Sequence, residues 1–380
     1  MMSPFQPFEM ERMMSKHEQE VRYNLSESGV HPVTLRELLA FDPAGVEGLL
    51  DTELNYPHVN GIPELRENIA RLYRGAEPDN ILVTVGGIEA NYLAIRTLLS
   101  PGDEIAIMSP NYMQIWGVAK NHGLAIRTFG LSEADGWALD ASALDEAVTP
   151  QTRLIAVCNP NNPTGHVLSS SEMERVVAAA DRVGAWILAD EVYCGAERVT
   201  ERETPSFYGR YPKVIAVGSM SKAYGLPGLR LGWVAAPAET VEDIWARLEY
   251  LTLSATMLAN KLAALALAPD VRPQLLARTR RLIRQGYPIL ETWIEQHGDA
   301  FALTPPDAAA IAFLRYRFDV GSTLLVERLR REKSVLVVPG DHFGMDHFLR
   351  ISFGLPEPYL LEALERVRQL LATLRQVHVV

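Results

Sequence analysis

The chain has 380 residues, 48% of them hydrophobic, and its formal net charge at pH 7 is −11. This length is typical of two domains with a large core, and an acidic balance without basic runs argues against nucleic acid as a partner. Two cysteines in apolar surroundings, an N-terminus unlike a signal peptide and apolar stretches too short for a bilayer predict a cytoplasmic protein without a membrane segment.

Predicted strands and helices alternate between about residues 45 and 255. Continuous apolar runs, typical of strands covered on both faces, lie at Ile81–Val85, Glu104–Met108, Leu154–Cys158, Trp186–Ala189 and Val214–Val217. A helix is predicted over Glu89–Leu99, and Ser171 with Glu174 forms a candidate capping box for a helix that runs to Arg182. The alternation predicts a large α/β domain over residues 45–255 with a mainly parallel sheet.

The pattern changes after residue 256 to longer amphipathic helices. These are predicted over Arg272–Gln296, Thr323–Glu332 and Pro358–Leu374, with a strand pair at Val335–Val338 and Phe348–Ser352. Residues 256–380, joined by residues 1–44, are therefore predicted to form a smaller α+β domain.

A lysine between hydroxyl groups follows the predicted strand that ends near residue 218. The segment 219–232 contains Ser219, Ser221, Lys222 and, eight residues further on, Arg230. A lysine amine forms a Schiff base with an aldehyde cofactor, and the phosphate of such a cofactor is bound by hydroxyls and an arginine fork. An isolated lysine beside a glycine turn is more often an ordinary surface residue, so this interpretation depends on the other motifs.

Other candidate residues follow other predicted strands. Gly87 and Ile88 begin a helix after a strand, where backbone N–H groups suit a phosphate and glycine allows close approach. Asp190 ends a further strand, and a buried carboxylate beneath a heterocycle keeps the ring nitrogen protonated. Each of these motifs alone would also fit plain turn or helix-start chemistry.

The motifs together resemble, from Tyr56 to Arg350 and in the same order, those of the class I/II aminotransferases, which are pyridoxal 5′-phosphate (PLP) enzymes of fold type I. The resemblance implies a mainly parallel seven-stranded sheet in the large domain and PLP held by Lys222 as a Schiff base. It implies that PLP is also bound by Gly87, Ile88, Tyr112, Asn162, Asp190, Tyr193, Ser219, Ser221 and Arg230. It further implies that Tyr56 reaches the phosphate of a neighbouring subunit, and hence a homodimer.

The resemblance also implies a reaction between an amino acid and a 2-oxo acid. Arg350 would hold the substrate carboxylate together with Asn162, and Lys222, Asp190 and Tyr193 would be the catalytic residues. A ligand sensor without catalysis is disfavoured because no basic DNA-binding module precedes residue 45. Asp341-His342 and Asp346-His347 lack metal-ligand spacing, so no metal is expected.

The sequence indicates the identity of the substrate less clearly than that of the cofactor. No arginine occurs in residues 250–258, where dicarboxylate-specific relatives carry a second one. Residues 24–31 and 250–254 resemble segments of capreomycidine synthase-like enzymes, which cyclise or oxidise arginine derivatives. In that interpretation the substrate would be arginine or hydroxyarginine, bound near Val30 and His31 by Glu9 or Glu27. The alternative is an ordinary aminotransferase with an N-terminal arm in which His31 is structural.

Overall fold

The computed structural model describes residues 5–377. Its N-terminal part contains one short strand and four helices before the main sheet begins. These elements are α1 (Glu9–His17), β1 (Tyr23–Asn24), α2 (Leu35–Leu39), α3 (Val46–Leu50) and α4 (Pro63–Ala70). Residues 5–31, which we call the N-terminal arm, run from α1 to the segment that follows β1.

The main sheet has eight strands in the order β2-β9-β8-β7-β6-β3-β4-β5. Its strands are β2 (Ile81–Thr84), β3 (Glu104–Ser109), β4 (Ala125–Ser132), β5 (Ala138–Leu139), β6 (Thr152–Cys158), β7 (Trp186–Asp190), β8 (Val214–Ser219) and β9 (Gly232–Ala235). The pairs β8-β7-β6-β3-β4 are parallel, whereas β9 is antiparallel to both β8 and β2. The carboxyl ends of β2, β3, β6, β7 and β8 therefore lie at one edge of the sheet.

Helices connect and follow these strands. They are α5 (Gly87–Leu98), α6 (Gln114–Asn121), α7 (Ala141–Ala147), α8 (Ser170–Val183), α9 (Ala238–Leu248), α10 (Met257–Ala266) and α11 (Arg272–Gln296). The strands β3, β6, β7 and β8 are almost entirely buried, which explains their continuous apolar sequences.

The C-terminal part forms a second sheet of four strands in the order β10-β11-β14-β13. Its elements are β10 (Phe301–Leu303), β11 (Ile311–Tyr316), α12 (Ser322–Lys333), β12 (Val335–Leu336), β13 (Val338–Pro339), β14 (Phe348–Ser352) and α13 (Glu357–Val377). The N-terminal arm joins this part, because β1 pairs in parallel with β12. No helix in the described part of the chain is long and apolar enough to cross a membrane.

The structure confirms the predicted α/β class and corrects three details. The sheet has eight strands rather than seven, because the two-residue β5 adds an edge strand that leaves no apolar run in the sequence. The capping box of α8 is formed by Ser169 and Glu172, not Ser171 and Glu174. The predicted strand at 335–338 is two short strands, of which β12 pairs with β1 and β13 pairs with β14. The domain boundaries at residues 44 and 255 stay a prediction.

Candidate active site

The candidate site lies at the edge where the parallel strands end. Tyr112 follows β3 by three residues, Asn162 follows β6 by four, and Tyr193 and Lys222 follow β7 and β8 by three. In open α/β sheets, ligands bind outside the carboxyl ends of the strands. All four side chains line one cavity with a volume of about 620 Å³, which is within the range of small-molecule sites.

One end of this cavity combines backbone amides, hydroxyls and a guanidinium. Gly86 has a φ of +80° and leads into α5, whose first N–H groups have no helical acceptor. A Cβ atom at Gly86 would lie 2.7 Å from an Nη of Arg230, so glycine permits this close approach. Arg230 donates to Ser221 Oγ at 3.4 Å, and Ser219 Oγ donates to the same oxygen at 3.0 Å. This donor set fits a phosphate.

Asp190 lies elsewhere in the cavity lining and is 3% exposed. It accepts hydrogen bonds from Asn91 Nδ2 at 2.9 Å and from the Val192 backbone N–H at 3.3 Å. Burial raises the pKa of Asp190, while the positive charge of Lys222 lowers it. In residues 5–377 no lysine, arginine or histidine forms an ion pair with Asp190, so its carboxylate fits a cationic ring nitrogen of a bound cofactor.

Lys222 and Tyr193 supply an amine and a phenol. Burial lowers the pKa of the Lys222 ammonium, which makes the neutral, nucleophilic amine available at lower pH. The Tyr193 hydroxyl is 3.1 Å from Asn162 Nδ2, which donates to it, and it lies 2.9 Å from Ser28 Oγ in the N-terminal arm. Burial also raises the pKa of Tyr193, so the phenol keeps its proton.

Arg350 is a buried cation on β14, with 1% of its surface exposed. It donates to Asn162 Oδ1 at 3.0 Å and to the backbone oxygen of Ser26, while its Nε has no partner. No carboxylate of residues 5–377 lies within ion-pair distance of it. A buried guanidinium without an anion is costly, so this position fits the carboxylate of a substrate.

The N-terminal arm contributes acidic side chains to the cavity. Glu11, Glu18 and Glu27 line it, and Tyr112 donates to Glu11 Oε1 at 2.7 Å. Burial and the neighbouring carboxylates Glu27 and Glu11 raise the pKa of Glu18. Three carboxyl groups of the arm therefore line this cavity.

The structure corrects the arm residues that the sequence suggested for substrate binding. Glu9 is exposed and lies outside the cavity, because two residues along a helix turn a side chain well away from the face of Glu11. Val30 is 5% exposed in the hydrophobic core, and His31 is exposed, with its backbone bonded to Gly354 and Arg278. Of the suggested arm residues, only Glu27 lines the cavity.

Several residues that line the cavity were not predicted from the sequence. Asn91 lies one helical turn after Gly87 on α5. Residues four apart lie on the same face of a helix, so this spacing could have predicted that Asn91 faces the site. Glu11, Glu18 and Ser28 come from the arm and meet the site only through tertiary contacts. Tyr56 is 79% exposed and lies outside this cavity.

Known proteins resemble this chain over most of its length. The model of the family "Aminotransferase class I and II" matches residues 36–367. Capreomycidine synthase of Streptomyces vinaceus is 31% identical over 363 residues, which are 93% of this chain and 91% of that protein. A PLP-dependent aminotransferase from Streptococcus suis 89-1591 has a TM-score of 0.91 at 31% identity, covering 98% of this chain and 99% of its own. The PLP-dependent cyclase OrfR has a TM-score of 0.88 at 25% identity, with 97% of both chains covered.

Proposed function

This chain belongs to the aminotransferase class I and II family of PLP-dependent enzymes, and we propose that it transfers the amino group of an L-amino acid to a 2-oxo acid. The observation that carries the proposal is one cavity lined by both a half-buried lysine and a buried arginine that no carboxylate of residues 5–377 approaches within ion-pair distance. Lys222 and Arg350 are the two groups that an amino acid substrate needs, one for its Cα proton and one for its carboxylate.

The residues of the cavity fall into three groups, which would bind the cofactor phosphate, the cofactor ring and the substrate. Gly87, Ile88, Ser219, Ser221 and Arg230 hold the cofactor phosphate, which fits their amide, hydroxyl and guanidinium donors.

The ring of the cofactor is held by a second group of residues. Tyr112 would pack against the ring, Asp190 would hold a proton on its nitrogen, and Asn162 and Tyr193 would donate to its phenolic oxygen; all four residues line the cavity. PLP, when bound, supplies the electron sink that makes the substrate Cα–H acidic.

The chain's own groups then bind the substrate and move its proton. Arg350 would bind the substrate carboxylate, and Asn162, whose Oδ1 accepts from Arg350 at 3.0 Å, would hold that guanidinium in place. Lys222 accepts the Cα proton as general base, and its lowered pKa favours the neutral amine that this role needs. Arg350 is 1% exposed, and the low polarity around it strengthens its attraction for a carboxylate.

An isotope experiment tests the proposed reaction. The purified enzyme is given a panel of ¹⁵N-labelled L-amino acids, arginine included, with unlabelled 2-oxo acids in the presence and absence of air. Transfer of ¹⁵N to the acceptor, independent of oxygen, is the expected result. Release of the label as ammonia or product formation only in air indicates oxidation, and a new product that keeps the label without transfer to the acceptor indicates cyclisation; either outcome contradicts transamination and favours the second candidate function.

That second candidate is cyclisation or oxygen-dependent oxidation of arginine or hydroxyarginine. It is favoured by the carboxylates of Glu11, Glu18 and Glu27, none of which pairs with a lysine or arginine within the described chain. A guanidinium binds carboxylates through paired hydrogen bonds that a neutral side chain cannot replace. Capreomycidine synthase and the cyclase OrfR are among the relatives of this chain.

Neutralising the cavity carboxylates separates the two candidates. If the substrate is arginine, Glu18→Gln and Glu27→Gln are each expected to raise its KM about 10- to 100-fold, since a hydrogen bond to a charged group contributes about 1.5–3 kcal/mol. Initial-rate kinetics with arginine and with an uncharged amino acid measure the effect. Glu9→Gln is the matched control and should leave KM unchanged, because Glu9 lies outside the cavity. Equal KM values for all three variants contradict the guanidinium interpretation.

We also propose that the enzyme works as a homodimer. Apolar side chains exposed in one chain include Leu50, Leu54, Tyr56, Tyr250 and Leu251, at 73%, 80%, 79%, 95% and 52%. A contiguous apolar patch marks an interaction surface, and we expect these side chains to form one where the two subunits meet. Tyr56 would reach the phosphate of the second subunit from this surface.

Light scattering after size exclusion is expected to give twice the chain mass of 42.2 kDa. Tyr56→Phe should keep that mass and weaken PLP binding about tenfold, because it removes one hydrogen bond to a charged group. Tyr250→Phe makes the same change at another exposed tyrosine and should leave PLP affinity unchanged. A monomer that binds PLP with full affinity would refute the proposal.

A further inference from the structure

Ser28 is a buried hydroxyl of the N-terminal arm that contacts the site. It is 5% exposed, and its Oγ lies 2.9 Å from the Tyr193 hydroxyl, 165 residues away in the sequence. The Arg350 guanidinium, which donates to Asn162, also binds the backbone oxygen of Ser26. One hydrogen-bonded network therefore joins the arm to the groups proposed to bind the substrate carboxylate and the cofactor's phenolic oxygen.

The backbone on both sides of Ser28 is fixed. Leu25 donates its N–H to Leu336 at 2.8 Å and accepts from the Ser352 N–H at 2.9 Å, while the His31 N–H donates to Gly354 at 2.7 Å. The contact between Ser28 and Tyr193 is thus held by strands of the C-terminal part and does not depend on a mobile tip.

The number of hydrogen bonds that the Tyr193 hydroxyl can donate and accept determines the role of Ser28. A tyrosine hydroxyl has one proton to donate and can accept two hydrogen bonds. If Tyr193 donates its proton to a cofactor oxygen, its own oxygen accepts from Asn162 Nδ2 and, after rotation of the serine hydroxyl, from Ser28. Chains of hydrogen bonds polarise one another, so a donor behind the phenol makes it a stronger donor in front.

We propose that Ser28 is a positioning residue that acts through Tyr193 on the phenolic oxygen of PLP. This inference rests on the proposed role of Tyr193 and extends it to the arm. Burial raises the pKa of Tyr193, while the charge of Arg350 and the hydrogen bond with Ser28 act in the opposite direction. In the free site Tyr193 donates to Ser28; once Tyr193 donates to a cofactor oxygen instead, the Ser28 hydroxyl can donate to Tyr193. The arm thereby sets the affinity of the cofactor's oxygen for its shared proton.

The test is a pH titration of the visible absorbance of the bound cofactor, measured without substrate. Tyr193→Phe should move the midpoint upward by about one pH unit, because the oxygen loses a donor that stabilises its negative charge. Ser28→Ala should move it in the same direction by about half a unit, which is about a threefold change in proton affinity. The double variant should titrate like Tyr193→Phe alone.

A matched control separates this effect from loosening of the arm. Ser26→Ala removes another buried hydroxyl of the arm, which donates to Asn24 at 2.6 Å, and it should leave the midpoint unchanged. The proposal is overturned if Ser28→Ala leaves the midpoint in place, or if its shift persists in the Tyr193→Phe background. If Tyr193→Phe itself causes no shift, the role of Tyr193 is wrong and the proposal for Ser28 fails with it, while transamination is judged separately by ¹⁵N transfer.

Discussion

Lys222→Ala is expected to lose covalent attachment of PLP and to lower turnover by at least about 10²–10⁴-fold, the usual contribution of a positioned general base. The expected loss is at the upper end of that range because the same amine both attaches the cofactor and accepts the Cα proton. Burial lowers the pKa of Lys222, so this amine is neutral at a pH where exposed lysines are charged.

Borohydride reduction followed by peptide mass mapping measures the attachment directly. The label should fall on the peptide that contains Lys222 in the unaltered enzyme and should be absent from Lys222→Ala. Lys213→Ala is the matched control, since Lys213 lies just before β8, with its Nζ bonded to the Gly184 oxygen at 2.8 Å, and should keep both label and turnover. A label on any other lysine would falsify the assignment.

The sequence was most informative about functional side chains that lie just after the end of a strand. Tyr112, Asn162, Tyr193 and Lys222 each lie three or four residues after the end of a strand. The ends of parallel strands share one edge, which is why these side chains meet, but their roles were predicted from the resemblance to the family and not from the local signals alone. Arg350 was also predicted, and the structure brings it to the same cavity from the second sheet.

The N-terminal arm was predicted less well, for a physical reason. An acidic helix shows its carboxylates in the sequence but not which face is buried, and the phase of α1 puts Glu11 in the cavity and Glu9 outside it. The pairing of β1 with β12 then carries the following segment to the site, which brings Ser28 to Tyr193. Such contacts depend on tertiary packing and leave no periodic pattern in the chain.

Asp190→Ala is expected to slow removal of the substrate Cα proton by about 10²–10³-fold, the usual cost of removing one preorganised electrostatic partner. The protein should still fold, because burial already disfavours the charged carboxylate in the free site. PLP should also remain bound, since the phosphate-binding residues are separate from Asp190. The loss should therefore appear in the chemical step and much less in substrate affinity.

Exchange of the Cα proton for deuterium, followed by NMR in D₂O, measures that step without requiring a complete turnover. Asn91→Ala is the graded control: it removes the 2.9 Å hydrogen bond that stabilises the Asp190 carboxylate but leaves the carboxylate itself. Its loss should be smaller, about tenfold, as expected for one hydrogen bond to a charged group. Near-normal exchange in Asp190→Ala would rule out the ring-nitrogen role. If Asn91→Ala lost as much as Asp190→Ala, then Asn91 would do more in the site than support the carboxylate.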